Sequence, residues 1–121
     1  MARIESHRDL AVWQKGMDLV VQVYALVRPF PPSERFGLSL QMTRAAVSVP
    51  ANIAEGYARN STRDYARFLS IAKGSLMELE TYVMLAERIG YAHQSATAFT
   101  LTLITELSKM LTALHSRIAE R

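Results

Sequence analysis

The side chains best suited to gripping an anion form one cluster: Arg59, Arg63 and Arg67, with Lys73 nearby. Arg63 and Arg67 are four residues apart, so on a helix they lie side by side, with Arg59 at the preceding corner. Guanidinium groups take phosphate oxygens in pairs, and such a cluster at a helix start can hold a nucleic-acid backbone. The competing reading is a solvated corner with local ion pairs. No aromatic residue alternates with these arginines as a base-stacking platform requires. Tyr57 and Tyr65 are close in sequence, but Tyr65 falls on the expected core face.

A second polar constellation lies just upstream. On a wheel of about 100° per residue, Gly37, Gln41, Arg44, Ser48, Asn52 and Glu55 share an arc of about 80°. Leu38, Leu40, Met42, Ala45, Ala46, Val47, Val49, Ile53 and Ala54 surround that arc. Most surface helices show the reverse, an apolar stripe on a polar background. One reading is a polar seam inside the hairpin with the next helix, pairing Arg44 with Glu78 and Glu55 with Arg67 or Arg63. A solvated face is another. A surface meeting RNA, DNA or another subunit is the third.

Much other chemistry is excluded. The chain has no cysteine, so disulfides, thiolate metal sites and cysteine nucleophiles are ruled out. His7, His93 and His115 share no helix face at ligand spacing, and neither an H-E-x-x-H pattern nor a paired Glu-x-x-His set occurs. No phosphate-cradling glycine loop, dinucleotide fingerprint or G-x-S-x-G elbow is present. The reading is a non-enzymatic protein without metal or cofactor.

The elements that position these residues are helical. Helix 1 is expected over about 9–28, with Asp9 as N-cap. Leu10, Trp13, Met17, Val20, Tyr24 and Val27 step 3, 4, 3, 4, 3 as its core seam, with Val12, Leu19, Val23 and Leu26 as a second row. Trp13 and Tyr24 are read as core. Pro29, Pro31 and Pro32 end it. Helix 2 is expected over about 34–59, capped by Ser33, with Glu34 in its first turn. Pro50 implies either a kink or a break at Val49 with a new helix starting there.

Helix 3 is expected over about 61–89, with a Ser61–Asp64 capping box and Gly90 as terminator. Tyr65, Phe68, Leu69, Ala72, Leu76, Leu79, Tyr82, Val83 and Ala86 make its core face. Met77 and Met84, one heptad apart on the other side, suggest a weak subunit contact. Helix 4 is expected over about 95–119, capped by Ser95, with Ile104, Leu107, Leu111, Leu114 and Ile118 as its seam. No stretch alternates with strand period. Four such helices joined by short loops imply an all-α, antiparallel up-and-down four-helix bundle, forming a single domain over 1–121.

Composition bounds the rest. Hydrophobic residues make up 50% of the 121 positions, high for a chain of this size, and the broad apolar faces of helices 1 and 2 imply a homo-oligomer. The net charge is +3. Residues 28–73 carry seven basic side chains against Glu34, Glu55 and Asp64, a local +4 that permits a polyanion partner. The N-terminus lacks a signal-peptide pattern and the Leu19–Val27 run is too short to span a bilayer, so the expected location is the cytoplasm, away from membranes.

Longer motifs then become specific. They are Asp9-Leu10-x-x-Trp13-Gln14 and Phe30-Pro31-x-x-Glu34-x-Phe36-Gly37-Leu38 in the first third. Helix 2 carries Gln41-x-x-Arg44-Ala45-Ala46-x-Ser48-x-x-x-Asn52-Ile53-Ala54-Glu55-Gly56. Helix 3 carries Phe68-Leu69-x-Ile71-Ala72-x-Gly74-Ser75-x-x-Glu78-x-Glu80. With these the chain resembles the bacterial 23S rRNA intervening-sequence proteins, nearly throughout as far as Tyr91, while helix 4 matches only in pattern. The resemblance implies a four-helix protomer assembled into a ring, typically a pentamer with a central channel. The family is similar in fold to the accessory variability determinants of diversity-generating retroelements, which bind nucleic acid and a reverse transcriptase. Two functions follow as expectations: RNA or DNA binding through the helix 2–helix 3 region, or a ring-forming adaptor with a protein partner and no nucleic acid.

Overall fold

Four helices, each amphipathic along most of its length, bury their apolar faces against one another in a computed structural model that describes residues 3–121. They are α1 (Ala11–Val27), α2 (Leu38–Tyr57), α3 (Thr62–Arg88) and α4 (Gln94–Ala119). Among the described residues there is no strand. Short connections force successive helices to run antiparallel. α1 packs on α2, α2 on α3, α3 on α4, and α4 closes back on α1, with the α2–α3 hairpin the most intimate pair. The core is a column of aliphatic side chains including Leu19, Val23, Met42, Ile53, Leu76, Leu79, Ile104 and Leu107.

Helix 1 differs from its expected orientation. The buried row is Val12, Gly16, Leu19, Val23 and Leu26, which also steps 4, 3, 4, 3. In the expected seam Met17 is 43% exposed and Tyr24 51%, while Leu10, Trp13, Val20 and Val27 are half-buried against the core edge. Gly16 lies on this buried row against α2: a Cβ there would sit 3.4 Å from the Pro50 Cβ, an ordinary contact distance, so α1 rests directly on the proline of α2. Helix 2 is continuous through Pro50, so no new helix opens at that position. Pro50 is buried at the point where the two helices cross.

Three helix starts also differ. Asp9 does not cap α1. Its carboxylate accepts from the backbone N–H of Glu5 at 2.9 Å and Ser6 at 3.2 Å, closing a capping box around a 3-10 turn over His7–Asp9. These bonds, that of Glu5 first, hold its carboxyl below the usual range. Helix α2 begins at Leu38 rather than Glu34, because the prolines set a separate 3-10 turn over Pro32–Glu34. Ser33 leaves α2 uncapped. The Glu34 carboxylate reaches forward instead, accepting from Leu38 N–H at 3.1 Å and from the Tyr91 hydroxyl at 2.8 Å. At α4 the cap is His93, not Ser95: its Nδ1 accepts from Ser95 N–H at 3.1 Å.

Helix 3 follows its expected limits. Ser61 Oγ accepts from Asp64 N–H at 3.1 Å. At the other end Gly90 adopts φ +84°, Gly90 N–H bonds Glu87 O and Tyr91 N–H bonds Ala86 O. That is a Schellman ending, whose left-handed residue favours glycine. Leu69, Ala72, Leu76, Leu79, Val83 and Ala86 are buried as expected, while Tyr65, Phe68 and Tyr82 are only half-buried. In α4, Leu103, Ile104, Leu107, Leu111 and Ile118 are buried and Leu114 is half-buried. No helix among the described residues is long and apolar enough to cross a membrane.

Candidate nucleic-acid interface

The α2–α3 corner is tight because Gly56 is buried. A Cβ on it would lie 2.8 Å from the Phe68 Cβ and 3.2 Å from the Tyr65 carbonyl oxygen. Only a glycine allows the first turns of α3 to close onto the last turn of α2. That approach brings Phe68 up to the arginines. The Arg59 guanidinium lies 4.8 Å from the Phe68 ring centroid and that of Arg67 lies 4.6 Å from it. Both are within cation–π range of one ring. Beside them Tyr57 and Tyr65 meet edge to face at 6.2 Å. Burial first, and then the neighbouring Tyr57 phenol, raise the Tyr65 phenol above its ordinary value.

The carboxylates at this corner are local. Arg59 Nη2 sits 2.5 Å from Glu55 Oε1, one helical turn back, and Arg67 Nε sits 3.9 Å from Asp64 Oδ1. All four side chains are largely exposed, so each pair contributes little to stability and gives way readily to another anion. Arg63 is exposed and has no ion-pair partner among the described residues. Thus Arg59 and Arg67 are brought together and Arg63 stands on the same exposed start of α3. Lys73 is not with them. It faces α4, donating to Thr112 Oγ1 at 2.6 Å.

The polar arc of α2 is a shorter seam than its spacing suggests. Ser48 and Ser75 share a hydroxyl–hydroxyl bond of 2.8 Å across the hairpin. Asn52 Nδ2 donates to Ser48 O at 2.7 Å and to Ser48 Oγ at 2.9 Å. Ser75 is buried, so the three polar groups satisfy one another where helix meets helix. Gln41, Arg44, Glu55 and Glu78 are exposed. The expected Arg44–Glu78 pair does not form, and Glu55 takes Arg59 rather than Arg63 or Arg67. Arg59, just past the end of α2, reaches back four residues to Glu55, whereas Arg67 lies against Phe68 and Asp64.

Phe68 and Gly56 are the residues that sequence reasoning left out of this site. Phe68 has core-like periodicity, and only its position beside Arg67 hints at a second use. Among the described residues, no three histidines or carboxylates come together as a metal site.

The fold and this corner define an antiparallel four-helix bundle with an arginine–aromatic cluster at one end. The chain belongs to the 23S rRNA-intervening sequence protein family, whose model matches residues 8–113. A similar solved structure is a protein of unknown function from the S23 ribosomal protein family of Bacteroides thetaiotaomicron. It is 25% identical, with a TM-score of 0.78, over 87% of this chain and 98% of that one. No curated protein matches the chain.

Proposed function

We propose that the protein is a non-catalytic, cytoplasmic bundle that binds RNA or DNA at the α2–α3 corner through Arg59, Arg63 and Arg67. The observation that carries this reading is the pair of guanidiniums over Phe68. A guanidinium stacked on a ring keeps its N–H edge free for phosphate oxygens and has already lost much of its rotamer freedom. Arg63, without a carboxylate partner among the described residues, adds a charge at the same helix start. Membership of a family named for an insertion in ribosomal RNA is compatible with a nucleic-acid ligand and does not by itself assign one.

The test is binding of labelled structured RNA and duplex DNA, followed by anisotropy across a salt series. Affinity is expected to fall steeply as salt rises, and Arg63→Glu with Arg67→Glu is expected to abolish it. Equal binding by that variant and the parent would place the interface elsewhere.

A second reading, a ring-forming adaptor for a protein partner, draws on an exposed apolar row of α1 made by Met17, Val21 and Tyr24, of which Val21 is 66% exposed. Met77, Met84 and Leu85 make another exposed apolar face on α3. In both readings these faces are covered by further copies of the chain, a pentamer by resemblance. Recovery from nuclease-treated lysate separates the two, since an adaptor keeps its partner and a nucleic-acid binder loses it.

A further inference from the structure

A groove of about 160 Å³ between α3 and α4 has a different chemistry from the arginine corner. Its floor is Leu69 and Leu111, both buried. Its rim is Ser70 and Lys73 from α3 with Thr112, His115 and Ser116 from α4. None of the lining residues is acidic. The rim is therefore an ammonium, an imidazole and three hydroxyls; the ammonium, the imidazole and the Ser70 and Ser116 hydroxyls can donate to one acceptor.

The lysine is held at this rim. Its ammonium donates to Thr112 Oγ1 at 2.6 Å, and the Thr112 hydroxyl spends its own proton on Ser108 O at 3.0 Å. The threonine oxygen thus serves as acceptor, and two of the three ammonium protons remain for a ligand. Lysine ordinarily carries its charge out to water on a flexible stem; here it is tied across two helices. It has no ion pair among the described residues, in contrast to Lys15, Arg59 and Arg67, which face Glu106, Glu55 and Asp64. Lys73 is also separate from the arginines. It lies six residues beyond Arg67, about 120° round the helix and about 9 Å along it.

We propose that this groove binds a phosphate group. A tetrahedral anion accepts hydrogen bonds from every side, which matches a rim that offers an ammonium, an imidazole and two serine hydroxyls and no carboxylate, and its charge answers the unbalanced ammonium. The group could be free phosphate or the terminal phosphate of a nucleic-acid strand. The site stands on its own residues and does not depend on the arginine corner.

The experiment follows the His115 imidazole resonances of the whole protein by NMR at mildly acidic pH. The probes are inorganic phosphate, a 5′-phosphorylated oligonucleotide and its unphosphorylated twin, with sodium chloride at matched ionic strength as control. His7 and His93, in the N-terminal turn and at the start of α4, serve as internal references. A saturable shift at His115 is expected with a phosphate-bearing probe and not with chloride. Lys73→Met, at an exposed position, is expected to weaken it about tenfold or more. A response to inorganic phosphate identifies the free anion as sufficient; a response to the phosphorylated strand alone identifies a strand terminus. Absence of a saturable shift with both phosphate-bearing probes would overturn the proposal. So would an equal response to chloride, or unchanged affinity in Lys73→Met.

Discussion

Replacing Gly56 with alanine tests whether close helix approach builds the arginine corner. The added Cβ would lie 2.8 Å from the Phe68 Cβ and 3.2 Å from a backbone oxygen, about 1 Å inside normal carbon contact for the nearer atom. Neither neighbour is the loose end of a side chain, so α2 and α3 must separate. Overpacking of this kind costs about 1–3 kcal/mol. Against it stands the helix preference of alanine over glycine, at most about 1 kcal/mol and less at the last turn of α2. The clash wins, leaving a net loss of about 1–2 kcal/mol, or roughly 4–8 °C in Tm for a domain of this size. Gly74 is the control. It lies within α3, exposed, with nothing within 4 Å of its notional Cβ. There alanine should gain about 0.5–1 kcal/mol. The assay is thermal and urea unfolding by circular dichroism at one fixed protein concentration, because self-association would make Tm concentration-dependent. The two variants should move in opposite directions. A Gly56→Ala protein as stable as the parent would refute the account of the corner, and with it the reason given for the Arg59–Phe68–Arg67 arrangement.

Two further outcomes follow from other contacts. The Glu34 carboxyl is held below the usual range, first by Leu38 N–H and then by the Tyr91 hydroxyl. Its contribution to stability is therefore full above the unfolded-state carboxylate value and is lost as pH falls through the lowered folded value. Acid titration of unfolding midpoints should show a shallower decline in Glu34→Gln than in the parent, and parallel curves would remove Glu34 as a contributor. On α1, Val21→Arg places a charge in the most exposed part of the apolar row. If other copies cover that row, light scattering should show a shift towards monomer with the monomer fold intact; an unchanged mass would mean that this row is not the interface.

Much of the architecture could be read from local rules. Ser61 and Gly90 mark the ends of α3 because capping geometry depends on a few neighbouring residues. The apolar spacing of α3 and α4 is unambiguous, and their aliphatic faces are buried as expected except Leu114, while the aromatic residues Tyr65, Phe68 and Tyr82 are only half-buried. Helix 1 was not legible in the same way. Two apolar rows share the heptad step, and the one that is buried contains a glycine, which hydrophobic pattern passes over. At the candidate site the arginines were visible by charge and spacing. Phe68 was hidden by its core-like period, and Lys73 was grouped by sequence proximity although its helix turns it to the opposite flank.

What the sequence alone determined is the set of four helices, their order and the all-α class, because periodicity, caps and breakers act over a few residues. The tertiary structure decided which row of α1 faces inward, because α1 crosses α2 at the buried Pro50 with Gly16 and its row turned towards it. It also sent Glu34 to the start of α2 and to Tyr91, gave Glu55 to Arg59, and set Ser48 against Ser75. Each of these choices depends on the distance and register between helices. Those follow from how closely two backbones can approach, a property that belongs to pairs of segments and is written in neither one.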